Sequence, residues 1–119
     1  SDVQTDIESI VLIDITGNFV ISSNLKNPST EDITKKDWYA SAISDDSIYH
    51  FSSPHIQDIF DSSSAEVITV TKITEYYVNG TKYRGILVVD LNFSSNTIEF
   101  QTFDINFTYD YLDIDVNLL

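Results

Sequence analysis

The chain has 119 residues and a formal net charge of −13, from 19 acidic against 6 basic side chains. That length suits one domain spanning the whole chain, 1–119, rather than two, and so acidic a surface disfavours nucleic acid and anionic lipid as partners. Cysteine is absent, which excludes disulfides, thiolate metal sites and cysteine nucleophiles together.

Methionine is absent too, and the chain opens at Ser1, as an excised fragment would. No run of about 18 apolar residues occurs, so the membrane anchors of a larger parent are expected outside this sequence.

Residues 9–16 are rich in β-branched side chains and run into Gly17-Asn18, with residues 19–22 following at once. The pattern predicts a strand, a tight turn and a second strand. Residues 23–33 form a polar loop containing Pro28. A helix is expected from Thr34 to about Ile43, opened by the box-like Thr34-Lys35-Lys36-Asp37 and burying Trp38 and Ala42, with Tyr39 beside them. Residues 48–51 are a short strand candidate between serine-rich loops.

The clearest structural signal is Asn79-Gly80 between two long β-type runs, Glu66–Val78 and residues 81–93. Asn-Gly favours a type I′ turn because both residues tolerate positive φ. A two-residue turn fixes the pairing: Glu75 faces Arg84, Tyr76 faces Tyr83, and Thr69 faces Asp90. Asp90 then shares a sheet face with Thr69, Thr71, Ile73, Ile86 and Val88, while Ile68, Val70, Leu87, Val89 and Leu91 take the other. A carboxylate on so apolar a strand requires a partner, because an unpaired buried charge costs several kcal/mol. Further on, residues 94–102 suggest a short helix and residues 103–118 a last strand with a bulge.

Strand, strand, loop, a helix carrying Lys36-Asp37-Trp38-Tyr39, a short strand, the loop Ser53-Pro54-His55 and a hairpin ending Gly85-Ile86-Leu87-Val88-Val89-Asp90 follow in that order. This order, over residues 7–95, resembles the Cache sensor domains, in particular the membrane-distal half of a double-Cache module. The resemblance implies an α+β, PAS-like fold: a central antiparallel sheet of about five strands, with a helix and loops covering a pocket. It further implies an extracellular ligand-sensing domain of a membrane-anchored bacterial receptor, either a sensor histidine kinase or a chemoreceptor. The partner would be a small polar molecule such as an amino acid, organic acid or amine, and a homodimer of the full-length receptor is left open.

By the same resemblance, Lys36 helps hold a ligand carboxylate, Trp38 and Tyr39 wall the pocket, and Asp90 holds a ligand ammonium. Lys36 stands where the family usually has Arg, and offers a point charge in place of a fork of donors. The family's Tyr-x-Asp falls near His55-Ile56-Gln57, where Asp58 is the nearest acid. With Thr69 and Thr71 on the face of Asp90, the expected contact set is Lys36, Trp38, Tyr39, His55, Thr69, Thr71 and Asp90.

No metal, cofactor or catalytic residue is expected. His50 and His55 lack ligand spacing, and Asp113, Asp115 and Asn117 imitate a calcium loop without its Gly or closing Glu. Phosphate loops, Gly-x-Ser-x-Gly and His-Glu-x-x-His are all missing. The competing reading is a β-rich surface module that binds a protein or glycan without signalling.

Overall fold

A computed structural model describes residues 7–93 and the short strand Val116–Leu118. The expected helix over 94–102, and all but the last residues of the expected strand over 103–118, lie outside the described residues, as do Asp113 and Asp115.

The architecture is α+β. Strands β1 (Ile7–Asp14), β2 (Phe19–Ser22), β3 (His50–Phe51), β4 (His55–Ile56), β5 (Glu66–Val78), β6 (Thr81–Asn92) and β7 (Val116–Leu118) form one antiparallel sheet, with helix α1 (Asp37–Ser44) on one face. The order across the sheet is β2-β1-β6-β5-β3. β4 and β7 also pair with β5, so its outer edge is covered piecewise: by β4 at Glu66 and Val67, by β3 at Val70 and Thr71, and by β7 from Thr74 to Tyr76.

The β5–β6 hairpin has the predicted register along its length, from Val78 opposite Thr81 to Val67 opposite Asn92. Asn79 at φ +50° and Gly80 at φ +82° make the turn, and both lie in the left-handed region such a turn requires. The tyrosines Tyr76 and Tyr83 stack with ring centroids 5.6 Å apart. Glu75 faces Arg84 in the ladder, yet its ion pair is the diagonal one, to Lys82 at 3.4 Å, while Arg84 bonds Asp46. Long side chains reach diagonal neighbours as readily as opposite ones, so register alone does not decide the pair.

Both faces of the hairpin are covered. Val11, Ile13, Ile73, Ile86 and Val88 pack with Trp38, Ala42, Ile59 and Phe60 on the helix side. Ile10, Val70, Leu87 and Val89 form a second cluster on the far side. That explains why β6 is apolar at every position from Ile86 to Val89 instead of alternating.

Helix α1 begins later than its sequence suggests. Ile33–Lys35 is a 3-10 turn capped by Asp32, whose Oδ1 accepts from the Thr34 backbone N–H at 3.0 Å. Thr34 is therefore a bonding partner of the cap and not the cap itself. The α-helix proper starts at Asp37, and its N-cap, Lys36, makes no side-chain capping bond. Eight residues are too few for a helix stable in isolation, so burial of Trp38 and Ala42 against the sheet holds it in place.

Strand β1 ends at Asp14 because that side chain turns the chain. Its Oδ1 accepts from the backbone N–H groups of Thr16 and Asn18, and Gly17 at φ +95° completes the reversal. At Gly85 the constraint is close approach: a Cβ there would lie 2.5 Å from the Ile13 carbonyl oxygen and 2.8 Å from the Tyr76 ring. Gly85→Ala should therefore destabilise the fold by about 1–3 kcal/mol, the usual cost of overpacking. Urea unfolding checks this, and an unchanged midpoint would show that β1 and Tyr76 give way freely.

Candidate functional site

A cleft of about 580 Å³ lies between the first turn of α1 and the β3–β4 segment, over the outer part of β5. Lys36 and Trp38 line one wall, His50 and the Ser52-to-His55 loop the other, and Thr69 and Thr71 are in its lining from β5. Both histidines and two of the six Lys and Arg residues lie on it, against two carboxylates, Asp37 and Asp58. In a chain of −13 this is a local exception, and it makes the cleft far less hostile to an acceptor or anionic group than the rest of the surface.

Asp58 joins the two walls. Its Oδ1 accepts from the Trp38 indole N–H at 2.8 Å and lies 3.9 Å from His55 Nδ1, while Oδ2 is 3.7 Å from Lys36 Nζ. Lys36 also bonds Glu31. That hydrogen bond, with the charge of Asp58 behind it, holds the ammonium above its ordinary range. The Lys36 charge is thus already met from two sides, one of them the exposed Glu31, which an incoming carboxylate could displace.

Asp90 is buried, and its carboxyl is fully engaged one layer behind the cleft. Oδ1 lies 2.5 Å from Thr69 Oγ1, and Oδ2 accepts from Gln57 Nε2 at 2.9 Å. Gln57 Nε2 also donates to Ser9 Oγ, and its Oε1 accepts from Ser63. On the cleft side, Thr69 Oγ1 is 2.8 Å from His55 Nε2. Burial lifts the Asp90 carboxyl above the usual carboxylate range, even though the bonds from Thr69 and Gln57 and the charge of His55 pull the other way.

The structure thus brings Lys36, Trp38, His55, Thr69 and Thr71 to one cleft. Asp90 points inward towards it but is separated from it by Thr69 and His55. Tyr39 is placed elsewhere. It packs on the helix-side core, and its hydroxyl donates to the Ile15 carbonyl oxygen at 2.5 Å, beside the β1–β2 turn. One helical step separates it from Trp38, and that step of about 100° carries the ring off the cleft wall.

Sequence reasoning gave no role to Gln57 or His50. Gln57 is as buried as the core around it and holds the second oxygen of Asp90. Its signals were its place near the acid of the family's Tyr-x-Asp, where it is not an acid, and a polar residue between Ile56 and Ile59, which a loop explains equally well. His50 donates its Nε2 hydrogen to the Asp45 carbonyl oxygen and stands beside Thr71 in the β3–β5 ladder. Among the described residues, no group of three or more His, Asp or Glu is arranged to hold a metal.

Thr71 is 1% exposed, and its Oγ1 has no hydrogen-bond partner among the described residues. A buried hydroxyl left without a partner costs about 1–3 kcal/mol. Comparison with known proteins finds no matching family model and no matching curated protein. The chemistry of this cleft is therefore read from its own side chains.

Two outcomes follow from these groups. Thr71→Val keeps the shape and removes the orphan hydroxyl, so the ligand-free protein should gain about 1 kcal/mol or more in urea unfolding; a loss of stability would mean that the hydroxyl is satisfied in solution. Asp90 binds its proton more tightly folded than unfolded. Its contribution to stability is therefore complete below the unfolded value of about 3.9 and is lost as pH rises through the raised folded value. The stability of Asp90→Asn relative to wild type should then increase with pH across that window, and a pH-independent difference would show an ordinary, solvated carboxylate.

Proposed function

We propose that this chain is the extracellular ligand-sensing domain of a bacterial transmembrane signal-transduction receptor of the Cache type, a sensor histidine kinase or a chemoreceptor. Its cleft takes a small polar molecule. The observation that carries the reading is the buried, unpartnered hydroxyl of Thr71 in the lining of the cleft. A fold that keeps an unsatisfied buried donor in a cavity wall loses stability there, and a ligand that bonds to it recovers the loss.

The sheet order supports the reading. The first two strands lie beside the last long strand, and a helix packs over the face that bears the cleft, as in PAS-like domains. The polar groups suit a ligand with both donor and acceptor ends, such as an amino acid. Lys36, shared with Glu31, meets an acceptor, and Asp58 meets a donor. The exposed apolar residues Ile48, Tyr49, Phe51 and Ile56, on and beside the edge strands, favour the second reading, a surface module that binds a protein or glycan.

Signalling would use the two walls. α1 and the β3–β4 segment meet through the Trp38–Asp58 bond, so a ligand that touches both favours one spacing over another. It shifts that balance only by its difference in affinity for the two arrangements.

A thermal-shift screen of amino acids, organic acids, amines and small sugars tests the proposal. A true ligand at about 100 times its dissociation constant stabilises by roughly 2.7 kcal/mol, and the fluorescence of Trp38, the only tryptophan, should respond. Lys36→Ala should abolish or weaken that response while changing the stability of the free protein by less than about 1 kcal/mol, as is usual for partly exposed pairs. No shift with any compound would favour the surface-module reading.

A further inference from the structure

His55, Thr69 and Asp90 form a line from the cleft wall into the core, and their contacts can be audited hydrogen by hydrogen. His55 Nδ1 lies 2.8 Å from the Ile56 carbonyl oxygen. A carbonyl oxygen only accepts, so Nδ1 carries a hydrogen. If the ring is neutral, Nε2 has only a lone pair and takes the hydrogen of Thr69 Oγ1 across their 2.8 Å contact. Thr69 then has none left for Asp90, and the 2.5 Å contact between their oxygens needs a hydrogen on the acid.

If the acid is ionised instead, Thr69 donates to it, and Nε2 must carry a second hydrogen. Either way the line holds one proton beyond the neutral ring and the carboxylate. A neutral ring beside an ionised acid leaves one of the two contacts at Thr69 without a hydrogen.

We propose that His55, Thr69 and Asp90 are a proton-binding site, so that the proton is itself a ligand of this domain. The two loaded forms interconvert by two short transfers, from Asp90 to Thr69 Oγ1 and from Thr69 Oγ1 to His55 Nε2. The acid becomes carboxylate, the ring becomes imidazolium, and no bond between heavy atoms changes.

The groups facing the line are few. Asp58, after β4, lies 3.9 Å from His55 Nδ1; Lys36 at the head of α1 stands beyond it, 3.7 Å from the other Asp58 oxygen. Ser9 from β1 and Gln57 are neutral, and Gln57 donates to the far oxygen of Asp90. Burial of the carboxyl disfavours its ionised form, which keeps the proton within the line.

The proton matters mechanically because it fastens β4 to β6. His55 is in β4 and in the cleft lining, whereas Asp90 lies in the middle of the sheet. Loss of the proton frees one contact in that fastening, so proton occupancy is felt at the cleft whether or not a small molecule binds there.

The test uses the ligand-free protein and is therefore separate from the ligand screen. Side-chain NMR would follow the His55 ring nitrogens and the Asp90 carboxyl carbon from about pH 4 to about pH 9. The two should change together with shared midpoints, as coupled sites do, and the neutral ring should carry its hydrogen on Nδ1. Thr69→Val should separate the two curves. If that variant does not fold, Asp90→Asn serves instead: its amide donates to Thr69 as the protonated acid does, and the shared step should vanish from the His55 signals. Independent titration of the two residues in the wild type, a neutral ring protonated on Nε2, or a His55 curve unchanged by Asp90→Asn would each overturn the proposal.

Discussion

The pairing of β5 with β6 is the constraint from which the rest of the molecule follows. A two-residue turn with both residues at positive φ leaves no freedom in register, and a slip of one position would turn every inward side chain outward. Held in this register, Thr69 and Asp90 face each other on the helix side, with Thr71 two residues along the same strand. β1 adds to one edge of the pair, and the other edge is left to three short strands. β3 and β4 cover that edge in pieces, and the segment between them, tied to Thr69 through Ser52, supplies one wall of the cleft.

The polar line through this hairpin runs against the logic of stability. Ser9, Gln57, Thr69, Thr71 and Asp90 are as buried as the apolar core beside them. Volume-matched apolar residues at such positions often leave a fold equally or more stable. Four of the five are bonded in a chain, Ser9–Gln57–Asp90–Thr69, which removes most of the penalty. Thr71 stands outside it, next to His50 and against the cleft. A buried hydroxyl left without a partner beside a bonded network, in the lining of a cavity, points to the cavity as the place where the missing partner arrives.

Much of this was legible in the residues, and for physical reasons. Asn-Gly specifies a turn chemically, so the hairpin, its faces and the inward carboxyl could be read from composition and parity alone. Trp38 and Ala42 were legible as a buried helical face. What escaped was set by tertiary geometry. The Thr34 cap did not form: Asp32, a better capping residue, caps a 3-10 turn over Ile33–Lys35, and α1 starts behind Lys36, which makes no side-chain capping bond. β4 is two residues long and exists by pairing with β5, so it carries no periodicity of its own. Tyr39 reads as the partner of Trp38 in sequence, but adjacent residues on a helix do not share a face. Gln57 is invisible for the same reason as β4: its burial comes from a loop pinned between Ala65, Ser63 and Asp90.

The division of labour between the two sides of the cleft bears on how such a domain can report. Its floor belongs to the longest strand pair, where continuous ladder bonds and apolar packing on both faces make local opening expensive. Its walls are an eight-residue helix, two two-residue strands and serine-rich loops, held by short ladders and the Ser52–Thr69 bonds, and by side-chain contacts that include the Trp38–Asp58 bond, the Lys36 pairs and the His55–Thr69–Asp90 line. Motion is cheapest where few contacts must break, so occupancy of the cleft acts on its walls and leaves the floor in place. Each of the named side-chain contacts between or behind the walls includes an ionisable group, whether Asp58, Lys36, Glu31, His55 or Asp90. A charge or proton delivered to the cleft therefore acts directly on the bonds that set the wall spacing, while an apolar occupant of equal size would act on them only through shape.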